Sequence, residues 1–156
     1  MQFDERLCFL KGEVKTDNRE ALLRQMAGRM ARYGYVKEGF LESILRREEE
    51  YPTGLCVHSA QFHMAIPHAD PEFVNTDAVA AAVLEKPVAF RRMDERGQEV
   101  AVSLVILLAI REPGEHMQML AGAVRMLQDA DRAERLMNAA SGRELMRYLQ
   151  TLREER

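Results

Sequence analysis

Two apolar runs decide how this chain folds: Ala78-Val79-Ala80-Ala81-Ala82-Val83-Leu84, and Val100-Ala101-Val102-Ser103-Leu104-Val105-Ile106-Leu107-Leu108-Ala109-Ile110. Neither alternates apolar with polar residues, as a strand with one wet face would. Unbroken Val/Leu/Ile/Ala runs suit strands covered on both faces, as in a mainly parallel sheet between helices. A buried helix is the competing reading for Ala78 to Leu84. Pro87 and the Asp94-Glu95-Arg96-Gly97 stretch mark the turn between the runs. The second run has 11 residues and one Ser. A membrane-spanning helix needs roughly 20, so no span is expected.

Upstream of these runs, Leu7 to Val14 reads as a short edge strand. Asp17-Asn18-Arg19-Glu20 has the spacing of a capping box and opens a helix. Leu22, Met26, Met30 and Tyr33 give that helix one apolar face, and Gly34 fits the left-handed residue that ends it. A second helix runs from Lys37 to about Glu49, with Phe40, Ile44 and Leu45 inward, and Pro52 and Gly54 stop it. Met64-Ala65-Ile66 is a short strand running into Pro67. Downstream the chain is helical: Met117, Leu120, Ala121, Val124 and Leu127 share one face. Asp131-x-x-Glu134 and Ser141-x-x-Glu144 are two further capping boxes. Strand, helices, strands, helices is an α/β order. The expectation is one domain over residues 1–156, with a mixed, mostly parallel sheet flanked by helices on both faces. Strand order is not fixed by sequence.

Composition agrees with one domain. The chain has 156 residues, 47% apolar and 30% charged, enough for a core and against wholesale disorder. A net charge of −3 argues against a nucleic-acid binder, although it leaves room for a local basic patch. Asp4 and Glu5 beside Arg6, with no extended apolar stretch, give no secretory signal. Cys8 and Cys56 form no CxxC pair, and reduced thiols in a cytoplasm are the simpler reading.

Three of the four histidines, His58, His63 and His68, fall in one short window at steps of five. On a strand, a step of five reverses the face. On a helix it rotates about 500°, about 140° off face. Neither geometry gathers three rings around one ion, and no Cys or acidic cluster completes a zinc spacing. No metal or other cofactor is expected. His68 stands apart because Ala65-Ile66-Pro67-His68-Ala69-Asp70 is an apolar strand meeting Pro and then His. The Pro fixes its own φ and keeps Ile66 extended. The imidazole is thus delivered at a strand end, where open α/β sheets bind ligands. A neutral imidazole there serves as base or nucleophile. Asp70, two residues on, could orient it.

A set of segments in one order carries a resemblance over roughly residues 5 to 150. These are Arg47-Glu48-Glu49-Glu50-Tyr51-Pro52-Thr53-Gly54-Leu55, Ala65-Ile66-Pro67-His68, Pro87 to Asp94, Val102 to Ile106, and His116 to Leu127. The chain resembles the enzyme IIA domains of the bacterial sugar phosphotransferase system, fructose–mannitol superfamily. Tyr51-Pro52-Thr53-Gly54 and Val100 to Ile106 look most like the galactitol-specific branch.

The resemblance implies a phosphocarrier. His68 matches the family's phosphorylated histidine, which takes a phosphoryl group from the phosphohistidine of the carrier HPr and passes it to a cysteine of enzyme IIB. Arg47, in the family's Arg-Glu pair, is the implied phosphate clamp, because a planar guanidinium holds two phosphate oxygens. Thr53 is the implied hydroxyl donor. His116 stands where mannitol- and fructose-type members carry a second active-site histidine, a residue the galactitol branch lacks, so this chain combines features of both. Phosphoryl transfer needs in-line positioning and charge stabilisation rather than a metal. The implied partners are HPr and enzyme IIB, the implied setting is the cytoplasm, and no insertion into the membrane follows. A regulatory IIA-like protein that signals nutrient state through protein binding is the alternative. A metal-dependent hydrolase using the histidines is the third reading.

Overall fold

The long apolar runs form the centre of a five-stranded sheet. The structure, a computed structural model, describes residues 1–58 and 60–154. Strands β1 (Cys8–Phe9), β2 (Gly54–Leu55), β3 (Met64–Ala65), β4 (Ala78–Arg91) and β5 (Glu99–Ala109) lie in the order β1-β4-β5-β3-β2. Every residue from Ala78 to Leu84 and from Leu104 to Ile110 is buried. Successive strand residues alternate faces, so both faces of the central pair are covered. The buried-helix alternative for Ala78 to Leu84 is thereby excluded.

The sheet is mixed, as expected. Parallel ladders join β1 to β4 and β3 to β5. The central β4–β5 ladder and the outer β2–β3 ladder are antiparallel. The central pair has no choice: the chain returns through a short turn, and parallel strands need a crossover of a dozen or more residues. That turn is Asp94-Glu95-Arg96-Gly97, closed by Arg92 N–H to Gln98 O and Gln98 N–H to Glu95 O. Pro87, expected in the turn, instead lies within β4. The register slips between Val83 and Val88, and Glu85, Lys86 and Pro87 are exposed there. A proline lacks the N–H a ladder uses, and an irregular, solvent-facing stretch tolerates it.

Among the described residues, five α-helices accompany the sheet: α1 (Arg19–Arg32), α2 (Phe40–Glu50), α3 (Pro113–Gln128), α4 (Ala130–Met137) and α5 (Gly142–Glu154). The first N-cap is Asn18 rather than Asp17, its side chain accepting from Glu20 N and Ala21 N. Likewise α4 is capped by Asp129, not Asp131, through Arg132 N. Ser141 caps α5 as expected, accepting from Glu144 N at 3.1 Å. Gly34 ends the first helix with φ 81°.

Helix α3 turns to the core a face rotated from the expected Met117, Leu120, Ala121, Val124 and Leu127 stripe, with Leu120 and Val124 only partly buried. Met119, Gly122, Ala123, Met126 and Leu127 are buried, while Met117 is 65% exposed and Ala121 is exposed. The small residues decide this. A Cβ on Gly122 would collide with the carbonyl of Leu152, so α3 and α5 meet backbone to backbone at that point. Gly122→Ala is expected to destabilise the fold by about 1–3 kcal/mol through overpacking. Gly114→Ala, on the same helix with nothing within 4 Å of the added Cβ, should be neutral or stabilising by up to about 1 kcal/mol. Urea unfolding of the two variants reads the contrast. Equal midpoints would refute the close approach.

Candidate active site

β3 runs out through Ile66 and Pro67, and Leu108 N–H bonds Pro67 O at 3.0 Å, holding the extension against β5. His68 continues it with a parallel bridge to Leu108. The strand therefore delivers the imidazole to its carboxyl end, half-buried, as the Pro-His reading expects. Nδ1 of His68 lies 3.3 Å from the carbonyl of Ile66. A carbonyl only accepts, so Nδ1 carries the proton and Nε2 keeps its lone pair. That lone pair faces Nη2 of Arg47 at 3.5 Å.

Burial pushes the His68 pKa below its ordinary value, and the nearby charge of Arg47 adds to this. The Ile66 hydrogen bond and Asp70 act the other way without reversing it. The ring is neutral at neutral pH, which a nucleophile requires.

Arg47 comes from the last turn of α2 and is braced from the His68 side. Its Nη1 donates to Oδ1 of Asp70 at 2.9 Å, and Nη2 of Arg46 donates to Oδ2 at 3.1 Å. Burial raises the Asp70 carboxyl, but the two guanidinium groups outweigh it and hold the group below the usual carboxylate range. Asp70 thus orients Arg47 rather than His68. Its own N–H donates to Ser43 Oγ at 2.9 Å, from the buried side of α2. Sequence reading missed Ser43. The signal was its spacing: three and four residues before Arg46 and Arg47, it shares their helix face.

His116, in the first turn of α3, packs on His68 with ring centroids 4.5 Å apart and planes tilted by 32°. Burial, then the proximity of His68 and Arg47, lowers its pKa to about 4. Two polar atoms here are buried without a hydrogen-bond partner: Arg47 Nε and His116 Nε2. Such unpaired buried atoms are rare in folded proteins, and a polar group placed beside His68 would meet both. Both belong to side chains in contact with His68.

Thr53 has a different place from the one the resemblance implies. It is 3% exposed, and its hydroxyl donates to Glu48 Oε2 at 2.6 Å. That hydroxyl is therefore committed away from the imidazole. His58 is exposed and His63 is partly buried, and neither has a hydrogen bond or ring contact to His68 among the described residues. No cluster of three His, Cys, Asp or Glu fit for a metal occurs among the described residues. Cys8 and Cys56 are both free thiols. No described helix is long and apolar enough to cross a membrane.

Known proteins are similar to this chain. The galactitol-specific EIIA component of the sugar phosphotransferase system from Escherichia coli is 28% identical over 129 residues, covering 83% of this chain and 84% of that protein. The 2-O-alpha-mannosyl-D-glycerate-specific EIIABC component from Escherichia coli is 35% identical over 137 residues, covering 85% of this chain and 20% of that longer protein. In a solved complex of enzyme IIA and phosphorylated enzyme IIB for mannitol, from Escherichia coli, the similar chain is 25% identical with a TM-score of 0.72, covering 94% of this chain and 95% of its own length. The family model described as phosphoenolpyruvate-dependent sugar phosphotransferase system, EIIA 2, matches residues 1–151. With that match spanning both packed histidines and the arginine beside His68, this chain belongs to the EIIA 2 family of the phosphoenolpyruvate-dependent sugar phosphotransferase system.

Proposed function

We propose that this chain is a phosphocarrier in which Nε2 of His68 accepts a phosphoryl group from phospho-HPr and passes it to a cysteine of an enzyme IIB, driving uptake of a galactitol-like polyol. One observation carries the reading. Two buried nitrogens, Arg47 Nε and His116 Nε2, lack partners beside a neutral imidazole whose lone pair faces the arginine. A phosphoryl group on Nε2 would give both a partner.

The bonds balance without a cofactor. The Nε2 lone pair attacks phosphorus, the N–P bond of the donor breaks, and the donor imidazole keeps the electron pair. In the second step a thiolate attacks the same phosphorus, an S–P bond forms, and His68 leaves as neutral imidazole. Charge on the equatorial oxygens builds against Arg47, which Asp70 already holds in place. His116 supports the group when its Nε2 carries the proton. Thr53 has no direct part, because its hydroxyl is engaged with Glu48.

The surface around the site suits protein partners. The exposed large hydrophobic residues among the described ones are Tyr51, Met93 and Met117. Tyr51 flanks Arg47, whose guanidinium carbon lies 5.7 Å from the ring centroid, and Met117 follows His116. A protein handing phosphorus to His68 must cover this rim, and apolar side chains at its centre are what interfaces use. The solved mannitol IIA–IIB complex supports an enzyme IIB as the second partner. The galactitol-specific relative supports the polyol. The reading places the chain in the cytoplasm, where phosphoenolpyruvate is made.

The test is incubation with enzyme I, HPr and labelled phosphoenolpyruvate, followed by transfer to the galactitol-specific enzyme IIB. Acid-labile label that passes from this chain to that cysteine is expected. A chain that takes label and refuses every IIB would favour the regulatory role.

The histidine pair also predicts an acid-sensitive fold. Above about pH 6.5 His116 is neutral both folded and unfolded and contributes no pH dependence. Between 6.5 and about 4 the unfolded chain binds a proton that the folded site refuses. Stability therefore falls as pH drops through that window. His116→Gln should show a shallower decline between pH 7 and 5 in urea unfolding. Identical slopes would contradict the depressed value.

A further inference from the structure

We propose that Glu48 and Thr53 form a buried latch that positions Arg47 against His68. Glu48 is 7% exposed and Thr53 is 3% exposed. Oε2 of Glu48 accepts the Thr53 hydroxyl at 2.6 Å, and Oε1 accepts the Thr53 N–H at 3.4 Å. One carboxylate thus ties the last turn of α2 to the start of β2. Glu48 follows Arg47 directly. Thr53 precedes Gly54, which pairs with Ala65 of β3, and β3 leads through Ile66 and Pro67 to His68. The latch closes a ring of contacts in which the helix bearing the guanidinium is fixed to the strand pair bearing the imidazole. Gly54 leaves no slack in that ring, since a Cβ there would sit 2.5 Å from the carbonyl of Arg91.

A buried carboxylate is costly unless it is hydrogen-bonded or paired, and Glu48 is held by both Thr53 donors. Burial pushes the Glu48 pKa up, and the Thr53 hydrogen bonds with the charges of Arg19 and Arg91 hold it part-way back. The carboxylate is engaged with Thr53 and makes no hydrogen bond to His68 among the described residues. It therefore acts through Arg47 and is a positioning residue. Arg47 needs such support. Of its guanidinium nitrogens, Nη1 is braced by Asp70, while Nε has no partner. The fine setting of Nη2 at 3.5 Å from His68 depends on where the helix end stands.

The inference rests on the proposed phosphocarrier reading for its purpose, but its test does not use phosphoryl transfer. The readout is the His68 imidazole titration followed by NMR in the intact chain. Groups facing His68 are Arg47, Asp70 and His116, and all remain in the latch variants. Arg47→Ala removes a cation and raises the His68 midpoint. Thr53→Val changes no charge. It is expected to raise that midpoint by about half a pH unit, the scale of moving one partly screened charge by an ångström or more. The double variant Arg47→Ala/Thr53→Val should rise no further than Arg47→Ala. Glu48→Asp, which keeps the charge but shortens the reach, should move the midpoint in the same direction. Glu48→Gln keeps an acceptor oxygen and should not raise it, because losing a nearby anion by itself favours the neutral ring. Thr53→Ser restores the hydroxyl and should match the parent. A folded Thr53→Val or Glu48→Asp variant with an unmoved His68 midpoint overturns the latch. Failure of His68 to take phosphate leaves the titration result standing and overturns only the phosphocarrier reading.

Discussion

His68→Ala is expected to accept no label from phospho-HPr, because the atom proposed to form the N–P bond is gone. No neighbouring group can replace it. His116 is the only other imidazole in contact with the site among the described residues, and its ring stacks on His68. Removing His68 also removes the neighbour whose partial charge helps to depress His116. The variant should fold. His68 is half-buried at a strand end, and its loss costs one weak ring contact and one hydrogen bond to Ile66, about 1 kcal/mol. Loss of labelling with a native-like unfolding midpoint is the expected pair of results. Label retained in His68→Ala would place the acceptor elsewhere.

Arg47→Ala is the second large effect. Loss of one preorganised donor to a developing oxyanion costs about 10²–10³ in rate, and a guanidinium that carries both charge and direction belongs in that range. Single-turnover transfer from phospho-HPr should slow by about that factor. Arg47→Lys should recover only part of it, since an ammonium on a flexible stem is a point charge and cannot span two phosphate oxygens. Asp70 remains paired with Arg46 through its other oxygen, so the variant need not unfold. A rate within about twofold of the parent would remove Arg47 from the proposed mechanism, since 1.4 kcal/mol already corresponds to about tenfold.

The two central strands were legible because complete burial leaves an unmistakable pattern: no polar residue interrupts Ala78 to Leu84. Their mutual direction was not read: the unbroken runs suggested a mainly parallel sheet, whereas the Asp94 to Gly97 turn is too short for a crossover and the pair is antiparallel. Pro87 was misread because a proline marks a turn and an irregular strand equally, and only the pairing partner tells them apart. Helix α3 was misread for a related reason. Met119 and Met126 are buried with Gly122 and Ala123, while Leu120 and Val124 of the expected stripe are only partly buried and Met117 is exposed. Periodicity weighs size, whereas close helix packing at Gly122 selects smallness. The exposed Met117 then lies beside His116, on the rim of the proposed docking surface.

The site divides along similar lines. His68 announced itself through the strand ending in Pro-His, and Arg47 and His116 through resemblance. Their meeting was invisible, since α2, β3 and α3 come together only in the fold. Glu48 was hidden within Glu48-Glu49-Glu50, which reads as a solvated helix end. Thr53 was recognised as polar and near the site, but a sequence cannot say that its hydroxyl is engaged by the glutamate five residues earlier.

The most direct measurement is nitrogen–phosphorus coupling in the ring of His68 after the chain is charged with enzyme I, HPr and phosphoenolpyruvate. The account predicts phosphorus bonded to Nε2, with Nδ1 still protonated and donating to the carbonyl of Ile66. Phosphorus on Nδ1, on His116, or on no histidine would contradict it.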